Sequence, residues 1–178
     1  MGRVKSAVAF SGRIKSGKTT LARRVATELS LPFASFGDFV RREAESRGLD
    51  CSDREILQSV GQEFIDAGLT PFCTKVLDAA GWVSGSHIVV DGVRHIDVFY
   101  KLRELLLPVP LKLVYVQVSD ATQASRFAGF DTANSRAAIE SHATEADVKM
   151  KLLVAADIAV NADLSIEDAV SHVLNCLR

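Results

Sequence analysis

Ser6-Ala7-Val8-Ala9-Phe10-Ser11-Gly12-Arg13-Ile14-Lys15-Ser16-Gly17-Lys18-Thr19-Thr20-Leu21 begins as a short apolar run and ends in an amphipathic stretch. Between them, Gly12 to Thr19 matches G-x-x-x-x-G-K-[ST] at every fixed position. The glycines let the backbone curl so that the N–H groups of Arg13, Ile14, Lys15 and Ser16 point inward as an anion nest. A helix starting near Lys18 adds its positive end to the same spot. Lys18 then reaches the β- and γ-phosphates of a nucleoside triphosphate, the Thr19 hydroxyl ligates Mg²⁺, and Thr20 is placed for the α-phosphate. Such a pattern arises by chance in on the order of one chain of this size in a hundred. The strand before it and the helix after it, which the motif requires, cut that further. The reading is a phosphate loop for ATP with Mg²⁺.

The pattern continues outward on both sides. Leu21, Val25 and Leu29 recur at spacing four and predict a helix over 18–29. Leu31-Pro32 breaks it, and 33–35 reads as a short strand. Helices are predicted over 38–47, from a capping box at Ser52-Asp53-Arg54-Glu55 to about Ala67, and from the Thr70-Pro71 start to near Gly81. His87-Ile88-Val89-Val90-Asp91 is a core strand, 96–107 a helix halted by Pro108 and Pro110, and 111–118 the longest strand. A short helix at 120–128 precedes a polar stretch at 129–135. Helical patches follow near 136–142 and 144–155, then a strand at 157–160 and a helix at 165–177 capped by Ser165. Alternating strands and helices predict a parallel sheet with crossover helices. No repeats or linkers appear, so residues 1–178 are read as one domain with five strands.

Composition narrows the class. The 178 residues are 48% hydrophobic and 24% charged with a net charge of −1, which argues against nucleic-acid binding by bulk phosphate neutralisation. Cys51, Cys73 and Cys176 have neither metal-ligand nor disulfide-framework spacing, and the four histidines add no ligand pattern. No apolar run approaches the roughly 18 residues that would span a bilayer. Met1-Gly2-Arg3-Val4-Lys5-Ser6 fits the loose N-myristoylation pattern. The first residues lead directly into a strand, and the chain is expected to be cytoplasmic and free of membranes.

A phosphate loop needs an acid at the end of a neighbouring strand, and Asp91 is placed to hold Mg²⁺ or position an acceptor. The base-reading N-K-x-D of Ras-type GTPases and the LSGGQ of ABC ATPases are absent from the sequence, and AAA+ motors are larger with a second domain. From end to end the chain resembles the nucleoside monophosphate kinases and their relatives, including dephospho-coenzyme A kinases and phage-type deoxynucleotide kinases. Ser35-Phe36-Gly37-Asp38-Phe39-Val40-Arg41 resembles the S-x-G-D-x-x-R of their monophosphate-binding helix. The resemblance implies that Asp38 and Arg41 meet the acceptor, Arg41 by clamping its phosphate. Asp91-Gly92-Val93-Arg94 resembles the D-G-x-P-R or D-V-R turn, making Arg94 a second acceptor-phosphate and catalytic residue. Val118 through Gly129 resembles the approach to the lid, with Arg126 on or near the base. Asn161 through Asp168 resembles the closing N-x-x-S-x-E segment, beside the adenine in these kinases. On the residues alone, Arg41, Arg42 and Arg94 read equally well as arginines of a solvated helix face or surface turn, and Asp38 as a first-turn carboxylate favoured by the helix dipole.

The resemblance implies a three-layer α/β fold, a five-stranded parallel sheet of order 2-3-1-4-5, and a lid over about 129–144. It departs at Phe130, where adenylate kinases carry another arginine, and in a lid whose only arginine is Arg136, with His142, Lys149 and Lys151 nearby. Arg136 is the lid's catalytic candidate. Phosphoryl transfer runs on positioning and charge neutralisation, so a lid poor in arginine points to the dephospho-coenzyme A or deoxynucleotide kinase side. The expected activity is transfer of the γ-phosphoryl group of ATP to a small phosphate-bearing or hydroxyl acceptor, nucleotide-like as the resemblance implies: a nucleoside or deoxynucleoside monophosphate, or dephospho-coenzyme A. The alternative is a slow ATPase acting as a nucleotide-dependent switch on a macromolecular partner.

Overall fold

The computed structural model describes residues 6–127 and 146–178. They form β1 (Ala7–Gly12), α1 (Lys18–Leu29), β2 (Phe33–Ser35), α2 (Phe36–Ser46), α3 (Arg54–Asp66), α4 (Leu69–Ala79) and β3 (Val89–Asp91). There follow α5 (Ile96–Leu105), β4 (Leu111–Gln117), α6 (Asp120–Phe127), α7 (Ala146–Val154), β5 (Ile158–Asn161) and α8 (Ile166–Leu177). The expected lid at 129–144 with Arg136 and His142, the helical patch at 136–142, Phe130 and all of the Met1–Ser6 acylation pattern but Ser6 lie outside the described residues.

The five strands pair in the order β2-β3-β1-β4-β5, every pair parallel, as the resemblance implies. Successive side chains of a strand point to opposite faces, and this splits the core in two. Ala7 and Ala9 of β1 and Leu111, Leu113 and Tyr115 of β4 pack on one face, with α2, α3, α4 and α5. Val8, Phe10, Val114 and Val116 pack on the other, against Leu21 and Val25 of α1 and Val170 and Val173 of α8. Both faces are covered, which is why these strands read as continuous apolar runs. Register places Phe10 beside Asp91 and Gly12 beside Val116. The acid and the phosphate loop therefore leave the sheet together, at its carboxyl edge, where open parallel sheets bind ligands.

Four phenylalanines fasten the helical layer. Phe36 meets Phe72 edge-on with centroids 5.1 Å apart, Phe39 meets Phe64 at 5.2 Å, and Phe64 stacks on Phe72 at 5.3 Å. Each such pair contributes about 0.5–1.5 kcal/mol beyond area burial. They hold α2, α3 and α4 as one wall.

Two helix starts differ from the sequence reading. The cap of α3 is Asp53, not Ser52: its carboxylate accepts from the Glu55 N–H at 2.8 Å, while the Ser52 hydroxyl donates to Asp50 at 2.6 Å. A charged acceptor beats a hydroxyl at the positive end of a helix. Helix α4 starts at Leu69 behind Gly68, which places Pro71 third in the helix rather than first. The first-turn N–H groups have no acceptor within the helix, so Pro is tolerated there. Ser165 caps α8 as expected, accepting from the Asp168 N–H at 3.1 Å.

Cys73 lies fully buried in α4, and burial pushes its thiol up to about 11. A thiol reagent at pH 8 should label exposed Cys176 first and leave Cys73 untouched until the chain unfolds, as mass spectrometry of the native and denatured protein would show. Because the folded value is raised, Cys73 contributes stability that is complete below the ordinary 9.0 of a thiol. That contribution disappears as pH rises through about 11.

Candidate active site

The chain turns sharply as it leaves β1. Gly12 has φ 150°, and a Cβ on it would lie 2.5 Å from the Val116 carbonyl oxygen of β4. Only glycine fits between the two strands. Lys15 follows at φ 60° without being glycine, a strained conformation that persists where its surroundings fix it. Gly17 is the N-cap of α1, at φ 83°. Helix α1 has no side-chain cap and no acid in its first turn. By contrast, α2, α3 and α8 are capped by Ser35, Asp53 and Ser165. The N–H groups and positive end of α1 thus face the loop with no built-in acceptor, as an anion site requires.

Helix α6 secures the loop from the side. Asp120 pairs with the Arg13 guanidinium. The buried Gln123 amide donates to the Ile14 carbonyl at 2.6 Å, and Arg126 donates to the Lys15 carbonyl at 3.0 Å. Residues at spacing three on one helix face thereby hold three consecutive loop residues. Arg126 also donates to the Ala162 carbonyl at 3.0 Å, joining the phosphate loop to the turn after β5. Gln123 was not singled out in the sequence, although its spacing from Arg126 places the two on one face.

Thr19 donates its hydroxyl hydrogen to Asp91 Oδ2 at 2.7 Å, so the two residues read as metal ligands stand together. Asp91 is 3% exposed, and its Oδ1 is buried with no hydrogen-bond partner among the described residues. Burial pushes its carboxyl above the ordinary range, opposed first by the Lys18 cation and then by the Thr19 hydroxyl, while Asp38 pushes it further up. A buried carboxylate oxygen lacking a donor, beside a hydroxyl, is a donor set that fits Mg²⁺. Mg²⁺ takes one or two protein oxygens and completes its shell with phosphate oxygens and water. Among the described residues no group of three His, Cys, Asp or Glu forms a closed metal cage. Lys18 and Thr19 are half-buried at this spot, and Thr20 is exposed on α1. The Ser16 hydroxyl is buried under the loop without a hydrogen-bond partner among the described residues.

The acceptor candidates lie on the other side of the Asp91–Arg94 turn. Gly92, at φ 86°, makes the bend, and a Cβ on it would lie 3.6 Å from the Phe36 Cβ and the Gly37 nitrogen at the start of α2. Beyond it opens a cleft of about 740 Å³ lined by Arg41, Arg94 and the side chains of Phe36, Leu57 and Val98, among others. Arg94 has no ion-pair partner among the described residues, whereas Arg41 lies 3.5 Å from Asp38. Asp38 sits in the first turn of α2 and accepts more closely from Arg23, at 2.6 Å. The cleft thus holds Arg41 and Arg94, and Asp38 stands behind Arg41 rather than inside. Arg54 and Gln58 of α3 also line it, and neither was singled out for chemistry in the sequence.

Residues 8–148 match the family model described as AAA domain. The chain is 39% identical over 94 residues to a UPF0200/UPF0201 protein of Archaeoglobus fulgidus, a match spanning 49% of this chain and 27% of that one. It is 25% identical over 179 residues to a UPF0200 protein of Methanocaldococcus jannaschii, spanning 96% and 88%. A solved gluconokinase from Sinorhizobium meliloti 1021 superposes with a TM-score of 0.59 at 18% identity, over 99% of this chain and 93% of that one. A shikimate kinase from Bacteroides thetaiotaomicron does so with 0.61 at 15% identity, over 97% and 98%. At these identities the two solved structures establish the fold alone. Among the described residues no helix is long and apolar enough to cross a membrane.

Proposed function

This chain belongs to the AAA domain family and has the P-loop kinase fold, and from that premise we propose that it transfers the γ-phosphoryl group of MgATP to a small, phosphate-bearing, nucleotide-like acceptor. The observation that supports this most is one short segment. Asp91 meets Thr19 at its start, and Arg94 enters the acceptor cleft at its end. Val93 between them is fastened to β1, its N–H donating to the Phe10 carbonyl at 3.2 Å and its carbonyl accepting from the Ser11 hydroxyl at 2.6 Å. The metal-site acid and the acceptor arginine are thus fixed relative to one another.

The chemistry needs little beyond placement. Lys18 and the uncapped start of α1 hold the phosphates of ATP. Mg²⁺, held by Thr19 and Asp91, would supply charge neutralisation on those phosphates. Arg41 and Arg94 orient the acceptor, and their forked donors match phosphate oxygens. Where the acceptor group is a phosphate, it has lost most of its second proton at neutral pH, so transfer to its oxygen requires no general base; a hydroxyl acceptor would still have to give up its proton. What remains is alignment and electrostatic stabilisation, the two effects phosphoryl transfer depends on.

The reading is tested by ADP release against a panel of nucleoside monophosphates, deoxynucleoside monophosphates and dephospho-coenzyme A. Stimulation by one compound class is expected. Slow hydrolysis indifferent to every acceptor would overturn it and favour a nucleotide-dependent switch.

Arg41→Ala and Arg94→Ala should leave ATP affinity within about two-fold, since the phosphate loop is elsewhere. Each should lower acceptor-dependent transfer by about one to two decades, the equivalent of roughly 1.5–3 kcal/mol per lost charge-assisted contact. Arg→Lys at either position should also impair transfer, because a point charge cannot reproduce two parallel hydrogen bonds. Nucleotide titration and acceptor-stimulated turnover on the same preparations check this. Parent-like transfer in both alanine variants would place the acceptor elsewhere.

A further inference from the structure

Arg23 belongs to α1, the helix that carries Lys18 and Thr19 of the phosphate site. Leu21, Ala22, Val25 and Ala26 of that helix face the core, which leaves Arg23 on its outer side. The guanidinium carbon of Arg23 lies 4.4 Å from the centroid of the Phe33 ring on β2, a cation–π contact that fixes the head of a long side chain. From there Nη2 donates to Oδ2 of Asp38 on α2 at 2.6 Å. The other carboxylate oxygen, Oδ1, faces Nη1 of Arg41 at 3.5 Å. Arg41 is three residues further along α2, a neighbour on the helix surface, and it lines the acceptor cleft.

One carboxylate thus serves two arginines unequally. The short bond engages Oδ2 and leaves Oδ1 to Arg41 at a distance beyond the usual hydrogen-bond range. Asp38 therefore holds Arg41 only weakly, and the forked donors of Arg41 stay available to an acceptor phosphate. Without Arg23, both oxygens of Asp38 would be available to Arg41, and a tighter carboxylate pair would compete with the acceptor for the same fork. We propose that Arg23 is a positioning residue for the acceptor: it holds Asp38 back from Arg41, so that the helix binding the phosphates of ATP also sets acceptor affinity. The inference deepens the function proposed above and rests on the cleft being its acceptor site.

Two further observations agree. The Arg23 and Asp38 side chains are 54% and 43% exposed, and an ion pair so exposed contributes little to stability. Its effect on Arg41 can therefore be separated from any effect on the fold. The charge of Asp38 also reaches the metal-site acid, since it adds to the upward push on the Asp91 carboxyl. A cation held on Asp38 offsets a negative charge that acts on both halves of the site.

A double-variant cycle tests this with Arg23→Gln, Arg41→Ala and the two combined. Each protein, loaded with a non-hydrolysable ATP analogue and Mg²⁺, is titrated calorimetrically with nucleoside monophosphates, deoxynucleoside monophosphates and dephospho-coenzyme A. Arg23→Gln should weaken binding of the preferred compound about three- to five-fold, the range of exposed charge interactions. Affinity for the ATP analogue and turnover at saturating acceptor should stay within about two-fold of the parent, so the change appears in KM and not in kcat. Arg23→Lys should recover part of the loss, because it restores the charge without the fork, and it replaces the Gln variant in the cycle if that one does not fold. In the Arg41→Ala background the Arg23 change should have almost no effect, because the group being positioned is gone. Parent-like acceptor affinity in Arg23→Gln, or an equal loss with and without Arg41, would overturn the inference and leave the proposed function standing. Coupled Arg23 and Arg41 effects on binding without any transfer would do the reverse. If no compound binds the parent, the cleft is not the acceptor site and the inference fails with it.

Discussion

Lys18→Ala is expected to reduce phosphoryl transfer by about 10²–10³, the effect of losing one preorganised charge on the transferring group. The fold should survive, because Lys18 is half-buried at the start of α1 and belongs to neither core cluster. Its positive charge is the largest influence opposing the burial of Asp91. Removing it should raise the Asp91 carboxyl further and weaken the hold on Mg²⁺ as well as on ATP. Turnover should therefore fall, and stabilisation by MgATP should shrink, while the melting temperature without nucleotide stays near that of the parent. Unchanged turnover would dismiss the phosphate-loop assignment.

Gly12→Ala should act on stability rather than on charge. The added Cβ meets a backbone oxygen of β4 at 2.5 Å, at φ 150°. The conformation alone costs about 1–3 kcal/mol, and crowding a packed strand costs about as much again. Neither partner yields cheaply, since Gly12 and Val116 are paired in the sheet itself. The variant should melt well below the parent in chemical denaturation and bind ATP poorly even where it folds. A variant of parent-like stability would mean that β1 and β4 do not run this close together.

What could be read from the sequence is local or periodic. The strand, loop and helix around Gly12 announce themselves because turn glycines, a lysine and an apolar stripe are consecutive. The final cap at Ser165 was equally plain. The order of the strands came from the resemblance, since a periodic pattern states which segments are strands but not which are neighbours. The brace on the phosphate loop stayed hidden for the same reason: Gln123 and Ile14 are 109 positions apart and meet only once the sheet has formed. Arg54 was visible only as part of a helix start, where the true cap is Asp53. Its place beside Arg41 and Arg94 in the cleft is set only by the assembled fold. Length set aside the AAA+ motors, yet the matching family model is described as an AAA domain. The phosphate loop that a nucleotide-binding domain needs says nothing about the size of the machine around it.

The fastening of Asp91, Gly92, Val93 and Arg94 to β1 bears on how such a protein diversifies. An insertion or deletion within these four residues would break the Phe10 and Ser11 bonds to Val93 and shift Arg94 relative to Thr19 at once. Chemistry and recognition would be lost in one step. Drift toward a new acceptor has an easier route through α3, whose Arg54 and Gln58 line the cleft without touching this segment's bonds. Directed evolution of acceptor choice should therefore accumulate its changes on α3 and leave residues 91–94 as they are.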